Sequence, residues 1–118
     1  MTYRDCIEFL GKRESKKFLR NTYIERHNET TIVVRFHRTN IVYFYSDGRI
    51  KLNAGGFWTK TTKDRMNYFI PGNIFTVKGD WFLHEFGWSS ARRPVEFFNG
   101  MILDASGFCI NYFNRGDL

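Results

Sequence analysis

Residues 53–67 bring together the residue types that hold phosphate groups in proteins. The glycine pair Gly55-Gly56 lets the backbone turn through positive φ. Thr61, followed three residues later by Asp64, has the pattern of a helix N-cap with an acidic partner. The cations around this helix start are Lys60, Lys63 and Arg65. Because backbone N–H groups at a helix start attract anions, the segment predicts a phosphate-binding site.

Two aromatic residues, Phe57 and Trp58, follow the glycine pair and allow two interpretations. Exposed rings beside cations stack on the bases of single-stranded nucleic acid, which contributes about 1–3 kcal/mol per base. In the alternative, both rings fold under the glycine bend into the core and the cations simply face solvent. With the polar sides of neighbouring strands included, the predicted nucleic-acid site consists of Arg35, Arg49, Lys51, Phe57, Trp58, Lys60, Thr61, Thr62, Lys63 and Arg65.

A second candidate surface lies at residues 87–94, where one tryptophan and two arginines occur close together. These residue types are enriched in the hot spots of protein interfaces. The predicted protein-interface residues are Trp88, Arg92 and Arg93. The alternative is a simple connecting loop, because loops both connect elements and carry function.

The sequence lacks the local signatures of common enzyme and metal sites. It has no Walker or dinucleotide-binding glycine motif, no nucleophile elbow, and no His-Glu-x-x-His or Cys-x-x-Cys pattern. The histidines His27, His37 and His84 are scattered along the chain. Cys6 and Cys109 lie far apart, so two free thiols are expected rather than a disulfide. We therefore expect a binding protein rather than an enzyme, with no catalytic residue, metal site or cofactor.

Positive charge is concentrated in the first half of the chain. The 118 residues have a net charge of +6. Residues 1–65 carry 14 Lys and Arg against 7 Asp and Glu, whereas residues 66–118 carry 4 against 5. A basic surface attracts polyanions such as nucleic acid, with an affinity that depends on salt. The alternative is that the charge serves solubility alone.

Length and hydropathy predict one domain that comprises residues 1–118. No apolar run approaches the roughly 18 residues that span a bilayer, and the N-terminus does not resemble a signal peptide. We therefore expect a soluble cytoplasmic protein without a membrane partner.

Alternation of polar and apolar residues predicts several antiparallel strands. An antiparallel meander is expected from residues 22–26, 31–36, 41–45 and 49–53, with a hairpin turn at Asp47-Gly48. One further hairpin is expected from residues 74–77 and 81–86. Another is expected from residues 95–98 and 101–104, with a type I′ turn at Asn99-Gly100. A last strand is predicted at residues 108–113 and a frayed end at residues 114–118.

One helix is expected, from Thr61 to about Phe69, where Pro71-Gly72 ends it. Residues 1–20 have only partial helical spacing, so a short helix and an irregular arm fit them equally. Because strands outnumber helices, the predicted fold class is α+β: mainly an antiparallel meander and hairpins, with one short helix packed on the sheet.

Residues 53–67, together with residues 41–44 and 46–52, resemble a group of small bacteriophage and prophage proteins for which no activity is established. The similarity spans residues 21–70 and rests on the paired glycines, the aromatic residue after them and the run Thr-Thr-Lys-Asp-Arg. Members have Trp directly after the glycines, where this chain has Phe57 and then Trp58. The resemblance implies a viral source and the cytoplasm of the host cell.

Two hypotheses follow. The leading one is a non-enzymatic phage-type protein that binds nucleic acid, with phosphates on the basic meander and the helix start and a base on Phe57 or Trp58. The rival is a viral inhibitor or adaptor that binds a host protein or defence complex through Trp88, Arg92 and Arg93. Neither a preference for DNA or RNA nor an oligomeric state follows from the sequence.

Overall fold

The computed structural model describes residues 1–85 and 93–111. In these two ranges, two helices and nine strands form, and all pairs of strands are antiparallel. The helices are Tyr3–Leu10 (α1) and Lys60–Asn67 (α2). The strands are Ser15–Leu19 (β1), Thr22–Asn28 (β2), Thr31–Phe36 (β3), Thr39–Tyr45 (β4), Ile50–Leu52 (β5), Gly72–Val77 (β6), Asp80–Glu85 (β7), Val95–Glu96 (β8) and Met101–Leu103 (β9). The predicted α+β class, mainly antiparallel β, is confirmed.

The larger sheet contains six strands in the order β1-β2-β3-β4-β5-β9. Its first five strands follow one another along the chain, which confirms the predicted meander. Strands β4 and β5 join at the predicted Asp47-Gly48 turn, where Gly48 has a φ of 96°. Strand β1 lies in the segment expected to be a helix or an irregular arm. Its hairpin with β2 turns at Asn21, whose φ is 56°, a left-handed conformation that asparagine tolerates.

Of the two alternatives for residues 1–20, a short helix and an irregular arm, the helix is the one that forms, at Tyr3–Leu10. Thr2 is the N-cap of α1: its hydroxyl accepts a hydrogen bond from the Asp5 N–H at 3.1 Å, and the Asp5 carboxylate accepts one from the Thr2 N–H at 2.9 Å. This reciprocal capping box fixes the start of the helix. The helix buries Cys6 and Leu10. Among the described residues, neither helix has the length and apolar character to cross a membrane.

The smaller sheet contains β6, β7 and β8 in that order. The predicted hairpin of β6 and β7 is confirmed. The predicted hairpin of residues 95–98 with 101–104 is wrong, because β8 pairs with β7 and β9 pairs with β5 of the larger sheet. A turn does form at Asn99-Gly100, with the Met101 N–H donating to the Phe98 carbonyl at 3.2 Å. This turn carries the chain from one sheet to the other.

Long-range hydrogen bonds of Asn99 explain this crossover. Its side-chain oxygen accepts a hydrogen bond from the Ala54 N–H at 2.8 Å, and its side-chain amide donates to the Gly55 carbonyl at 2.9 Å. The Gly100 N–H also donates to the Leu52 carbonyl at 2.8 Å. The turn is therefore held against the glycine bend, which places β9 beside β5.

The predicted last strand is present only in part. Within residues 108–111, Cys109 forms an isolated β-bridge with Leu103. The remainder of the predicted strand and the frayed end predicted at residues 114–118 lie outside the described residues.

The core lies on the inner face of the larger sheet and includes residues of both helices and the smaller sheet. Members are Ile24, Val34, Phe44, Leu52, Cys6, Leu10, Met66, Phe69, Leu83 and Met101. In β5, Ile50 and Leu52 are buried and Lys51 points to the opposite face, as a period of two predicts. Both cysteines are buried free thiols, as expected, and burial raises the pKa of Cys6 to about 12.

Candidate nucleic-acid interface

The outer face of the larger sheet carries three half-buried tyrosines, each with a cation near its ring. We name this surface the tyrosine face; its members are Tyr23, Tyr43, Tyr45, Arg35, Arg49 and Lys51. The sheet register places Tyr23 opposite Arg35 and Tyr43 opposite Lys51. The Arg35 Cζ lies 4.6 Å from the Tyr23 ring centroid, and the Lys51 Nζ lies 4.2 Å from that of Tyr43. Direct cross-strand pairing thus produces these two cation–π contacts.

The cations of the tyrosine face are predicted from the sequence, whereas its tyrosines are not. The signal lies in β4, where Val42 and Phe44 are buried and Tyr43 and Tyr45 alternate with them. Since β4 lies inside the sheet, its outward residues are surrounded by side chains of the neighbouring strands. The alternation could therefore have placed both tyrosines beside the predicted cations.

Arg35 is fixed in place by Glu25 on the adjacent strand. The Arg35 Nε and Nη2 donate to the two Glu25 carboxylate oxygens at 3.0 and 3.1 Å, and Nη1 donates to the His37 carbonyl at 2.6 Å. The hydrogen bonds from Arg35 hold the pKa of Glu25 below its ordinary value, and the same bonds raise the pKa of Arg35. Arg35 is therefore well oriented, but part of its charge is neutralised.

Two further predicted cations have carboxylate partners. The Arg49 Nε donates to the Asp47 Oδ2 at 2.8 Å, and the Arg49 Cζ lies 5.4 Å from the Tyr45 ring centroid. A hydrogen bond from the Arg49 backbone N–H is the largest reason why the pKa of Asp47 lies below its ordinary value. Lys60 pairs with Asp64 at 2.7 Å, with 84 % of the lysine side chain exposed. Such exposed pairs contribute little to stability.

Lys63 and Arg65 make contacts of other kinds. The Lys63 Nζ donates to the Thr76 hydroxyl at 2.6 Å, which links α2 to β6. The Arg65 Cζ lies 5.4 Å from the Phe36 ring centroid. The Arg65 Nε is buried and has no hydrogen-bond partner among the described residues. Both side chains therefore lie against the protein surface.

The N-cap of helix α2 lies two residues earlier than the sequence indicates. It is Thr59, whose hydroxyl accepts a hydrogen bond from the Thr62 N–H at 3.2 Å. The prediction of Thr61 as N-cap is wrong, because Thr61 lies inside the helix. Asp64 is correspondingly not a capping partner and instead forms an ion pair with Lys60. The helix ends at Asn67, two residues before the predicted end.

Both aromatic residues after the glycine pair are exposed. Phe57 is 61 % exposed and Trp58 48 %, so the interpretation that places them in the core is wrong. Trp58 lies edge-on against Trp81 and Phe97, with ring centroids 5.0 and 5.5 Å apart. Its ring is thus partly engaged in packing, whereas Phe57 presents more of its surface to solvent.

An open cavity of about 830 Å³ lies at one end of the tyrosine face. It is bounded by the β1–β2 turn, the β3–β4 turn and the segment from Ala54 to the first turn of α2. Its polar and aromatic lining residues are Asn21, Tyr23, Arg35, Phe36, His37, Arg38, Thr39, Phe57, Thr59, Thr61 and Thr62. We refer to it below as the open cavity.

Four residues of the predicted site line the open cavity, namely Arg35, Phe57, Thr61 and Thr62. Arg49 and Lys51 instead lie along the tyrosine face, and Lys60, Trp58, Lys63 and Arg65 do not line the cavity. Sequence reasoning missed His37 and Arg38, which follow β3 in a turn that carries no glycine. The sequence predicts a turn between residues 36 and 41, but it shows neither the φ of 56° at His37 nor the position of this turn at a cavity.

The predicted protein interface is described only in part. Trp88 and Arg92 lie outside the described residues. Arg93 is exposed. The use of these three residues as an interface stays a prediction.

The fold and its outer face define a small β-rich α+β protein. A family model for the Kyanoviridae Gp96 protein matches residues 5–104. The chain therefore belongs to the Kyanoviridae Gp96 family and is a small phage protein. The match extends beyond residues 21–70, to which the resemblance seen in the sequence was limited. Searches of curated proteins and of solved structures found no match.

Proposed function

We propose that this phage protein binds single-stranded nucleic acid along the tyrosine face. The observation that carries the proposal is the set of three outward tyrosines, each beside a cation, on one open sheet face. Aromatic rings that stack on bases, in a basic setting that follows the phosphates, are the usual means of binding a single strand without sequence preference.

A bound strand would replace each cation–π contact by a base stacked on the tyrosine ring and a phosphate bound to the cation. In the free protein, Lys51 lies over the Tyr43 ring, a contact worth about 0.5–1 kcal/mol at an exposed site. A base stacked on the ring contributes about 1–3 kcal/mol. The displaced ammonium group is then available to a phosphate. Because the stacked base outweighs the lost cation–π contact, the exchange favours binding.

The acidic residues on this face favour single strands over duplexes. Glu25 and Asp47 neutralise part of the charge of Arg35 and Arg49. Binding then depends on base stacking as well as on charge. A duplex keeps its bases stacked on one another and offers none to the tyrosines, so we expect it to bind more weakly.

Fluorescence anisotropy with a labelled oligo-dT and a labelled oligo-U at about 50 mM salt tests this proposal. We expect a Kd in the micromolar range and a weaker affinity for a duplex of equal length. Lys51→Glu should weaken binding by about tenfold or more, because it removes a phosphate contact and introduces repulsion. Tyr43→Leu, which keeps an apolar side chain but removes the flat ring, should also cost about tenfold.

The matched control is Arg4→Glu. It changes the net charge by the same amount as Lys51→Glu, but Arg4 is exposed on α1, which packs on the inner side of the sheet. This variant should bind nearly as tightly as the wild type. Absence of binding at low salt, or an equal loss of affinity in Lys51→Glu and Arg4→Glu, would reject the tyrosine face as the binding surface.

The rival prediction, binding to a host protein, requires a different experiment. A pull-down from host lysate, with and without nuclease, distinguishes a protein partner from one that is bridged by nucleic acid. Loss of a nuclease-resistant partner in Arg93→Glu would support the rival and argue against nucleic acid as the target.

A further inference from the structure

We infer that the open cavity binds one nucleotide, with the base against Phe57 and the phosphate between Arg38 and the start of α2. The inference rests on the proposed function if the nucleotide is part of a bound strand. A free nucleotide could enter the cavity whether or not the protein binds a strand. Both sources share the same chemistry, a flat heterocycle joined through a sugar to a phosphate.

The size of the cavity suits such a ligand. Its volume of about 830 Å³ lies in the range of about 300–1,000 Å³ that is typical of small-molecule sites. It opens beside Tyr23 and Arg35, which also belong to the tyrosine face. A strand that follows this face therefore has a direct path into the cavity.

Phe57 supplies a flat apolar surface for the base. Phe57 is 61 % exposed although its side chain is large and apolar. Its backbone is held in place, since the Phe57 N–H donates to the Ala54 carbonyl at 3.1 Å and Ala54 is itself bonded to Asn99. A ring presented on an anchored loop loses little conformational entropy when a base covers it.

The charges that line the cavity suit a phosphate. None of the thirteen described lining residues is Asp or Glu. Arg38 is exposed, and the ion pairs of the described residues use other cations, namely Arg35, Arg49 and Lys60. Arg38 is therefore available to an anion that enters the cavity.

The start of α2 adds backbone donors at the cavity. The first intrahelical bond of α2 runs from the Lys63 N–H to the Thr59 carbonyl, and the Thr62 N–H is bound by the Thr59 hydroxyl. The N–H groups of Lys60 and Thr61 precede that bond, so helix geometry gives them no intrahelical acceptor. Thr61 is one of the residues that line the cavity.

An NMR titration of ¹⁵N-labelled protein with AMP tests the inference. We expect shifts of the His37, Arg38 and Thr61 amides and a Kd of about 1 mM or tighter. Phe57→Ala and Arg38→Gln should each weaken AMP binding by about tenfold. Adenosine should bind about tenfold more weakly than AMP, and its affinity should be the same for the wild type and Arg38→Gln. Both changes are at exposed positions, and the amide spectrum of each variant reports directly whether it is folded.

Lys51→Glu is the control that separates this inference from the proposed function. It should leave AMP binding unchanged and weaken only oligo-dT binding. Shifts of the cavity amides by oligo-dT would identify a strand as the source of the nucleotide. AMP binding without oligo-dT binding would support the cavity and reject the proposed function. Absence of shifts at these amides with both AMP and oligo-dT would overturn the inference, even if oligo-dT still bound through Lys51.

Discussion

Single residues on the tyrosine face have partners that determine how much of their charge is available. Arg35 forms a bidentate ion pair with Glu25, and Arg49 pairs with Asp47. Lys51 instead lies over a tyrosine ring. A lysine above a ring can move to a phosphate at little cost, whereas an arginine in a bidentate pair must first leave its carboxylate. Lys51 is therefore the cation on which binding should depend most.

The Glu25–Arg35 pair should make folding stability depend on pH. The pKa of Glu25 is lowered in the folded protein, mainly by hydrogen bonds from Arg35. The pair therefore stabilises the fold above the unfolded pKa of about 4.3, and this stabilisation is lost as the pH falls through the folded pKa. We expect Glu25→Gln to lower the free energy of unfolding at pH 7 by about 0.5–1 kcal/mol.

Thermal unfolding at a series of pH values from neutral to strongly acidic checks this prediction. The difference between wild type and Glu25→Gln should shrink as the pH falls below about 4. Glu29→Gln serves as the control, because it removes one exposed carboxylate from the β2–β3 turn. A difference that stayed constant over the whole series would show that the Glu25 charge does not stabilise the fold.

The outward direction of the cations could be predicted from the sequence, but their partners could not. A period of two places Arg35 and Lys51 on the polar side of their strands, and the structure agrees. Glu25 lies ten residues from Arg35 in the chain, so only the strand register brings them together. Local spacing likewise suggested that Asp64 is the partner of a helix cap at Thr61, whereas its carboxylate pairs with Lys60, one helical turn away.

At the scale of elements, a turn dipeptide predicts the pairing of its flanking strands correctly where those strands pair with each other. It fails where each of them pairs with a distant strand. Asp47-Gly48 joins two strands that pair with each other. Asn99-Gly100 carries the same signal, yet its flanking strands belong to different sheets. The difference lies in the Asn99 side chain, which bonds to a bend 44 and 45 residues away. A turn motif read alone contains no information about such a partner.

Asparagine side chains make similar links at two other places. The Asn67 side chain donates to the Ile74 carbonyl at 2.8 Å and accepts from its N–H at 2.7 Å. The Asn111 side chain accepts from the Ile102 N–H and donates to the Gly100 carbonyl. The Asn67 side chain forms hydrogen bonds with the backbone N–H and C=O of Ile74 on the edge strand β6. These groups would otherwise be open to pairing with another chain.

The start of α2 provides a stability test of the corrected cap. Thr59→Ala removes the hydroxyl that accepts from the Thr62 N–H, and we expect a loss of about 1 kcal/mol in the free energy of unfolding. Thr61→Ala changes a residue inside the helix, where alanine is the better helix former, so the stability should rise or stay within about 0.5 kcal/mol. Urea unfolding of both variants measures the two effects. A larger loss for Thr61→Ala than for Thr59→Ala would contradict the assigned cap.

At the scale of the whole molecule, the tyrosine face and the open cavity come from the same half of the sequence. The tyrosine face and the open cavity are built from residues 21–62, within the basic half of the chain. Because consecutive strands of a meander lie side by side, the outward residues of neighbouring strands share one face. The excess of Lys and Arg in this half can be counted in the sequence, but the pairing of Arg35 with Glu25 and of Arg49 with Asp47 depends on the three-dimensional arrangement.

The salt dependence of binding should therefore be weaker than the number of predicted cations suggests. Lys51 on the tyrosine face, Lys17 opposite Tyr23 and Arg38 at the cavity are absent from the ion pairs of the described residues. Three phosphate contacts by these cations give a slope of log K against log salt of about −2 for a single strand. Lys51→Gln should make the slope shallower by about 0.7.

Anisotropy titrations at several salt concentrations measure both slopes. A slope near zero would exclude phosphate contacts altogether. A slope of about −4 or steeper would mean that Arg35 and Arg49 leave their carboxylates when nucleic acid binds. In that case Glu25→Gln, which frees Arg35 beforehand, should tighten binding at low salt. If the carboxylates keep their arginines in the wild type, its slope should stay near −2, and Glu25→Gln, which leaves Arg35 without a carboxylate, should steepen the slope by about 0.7.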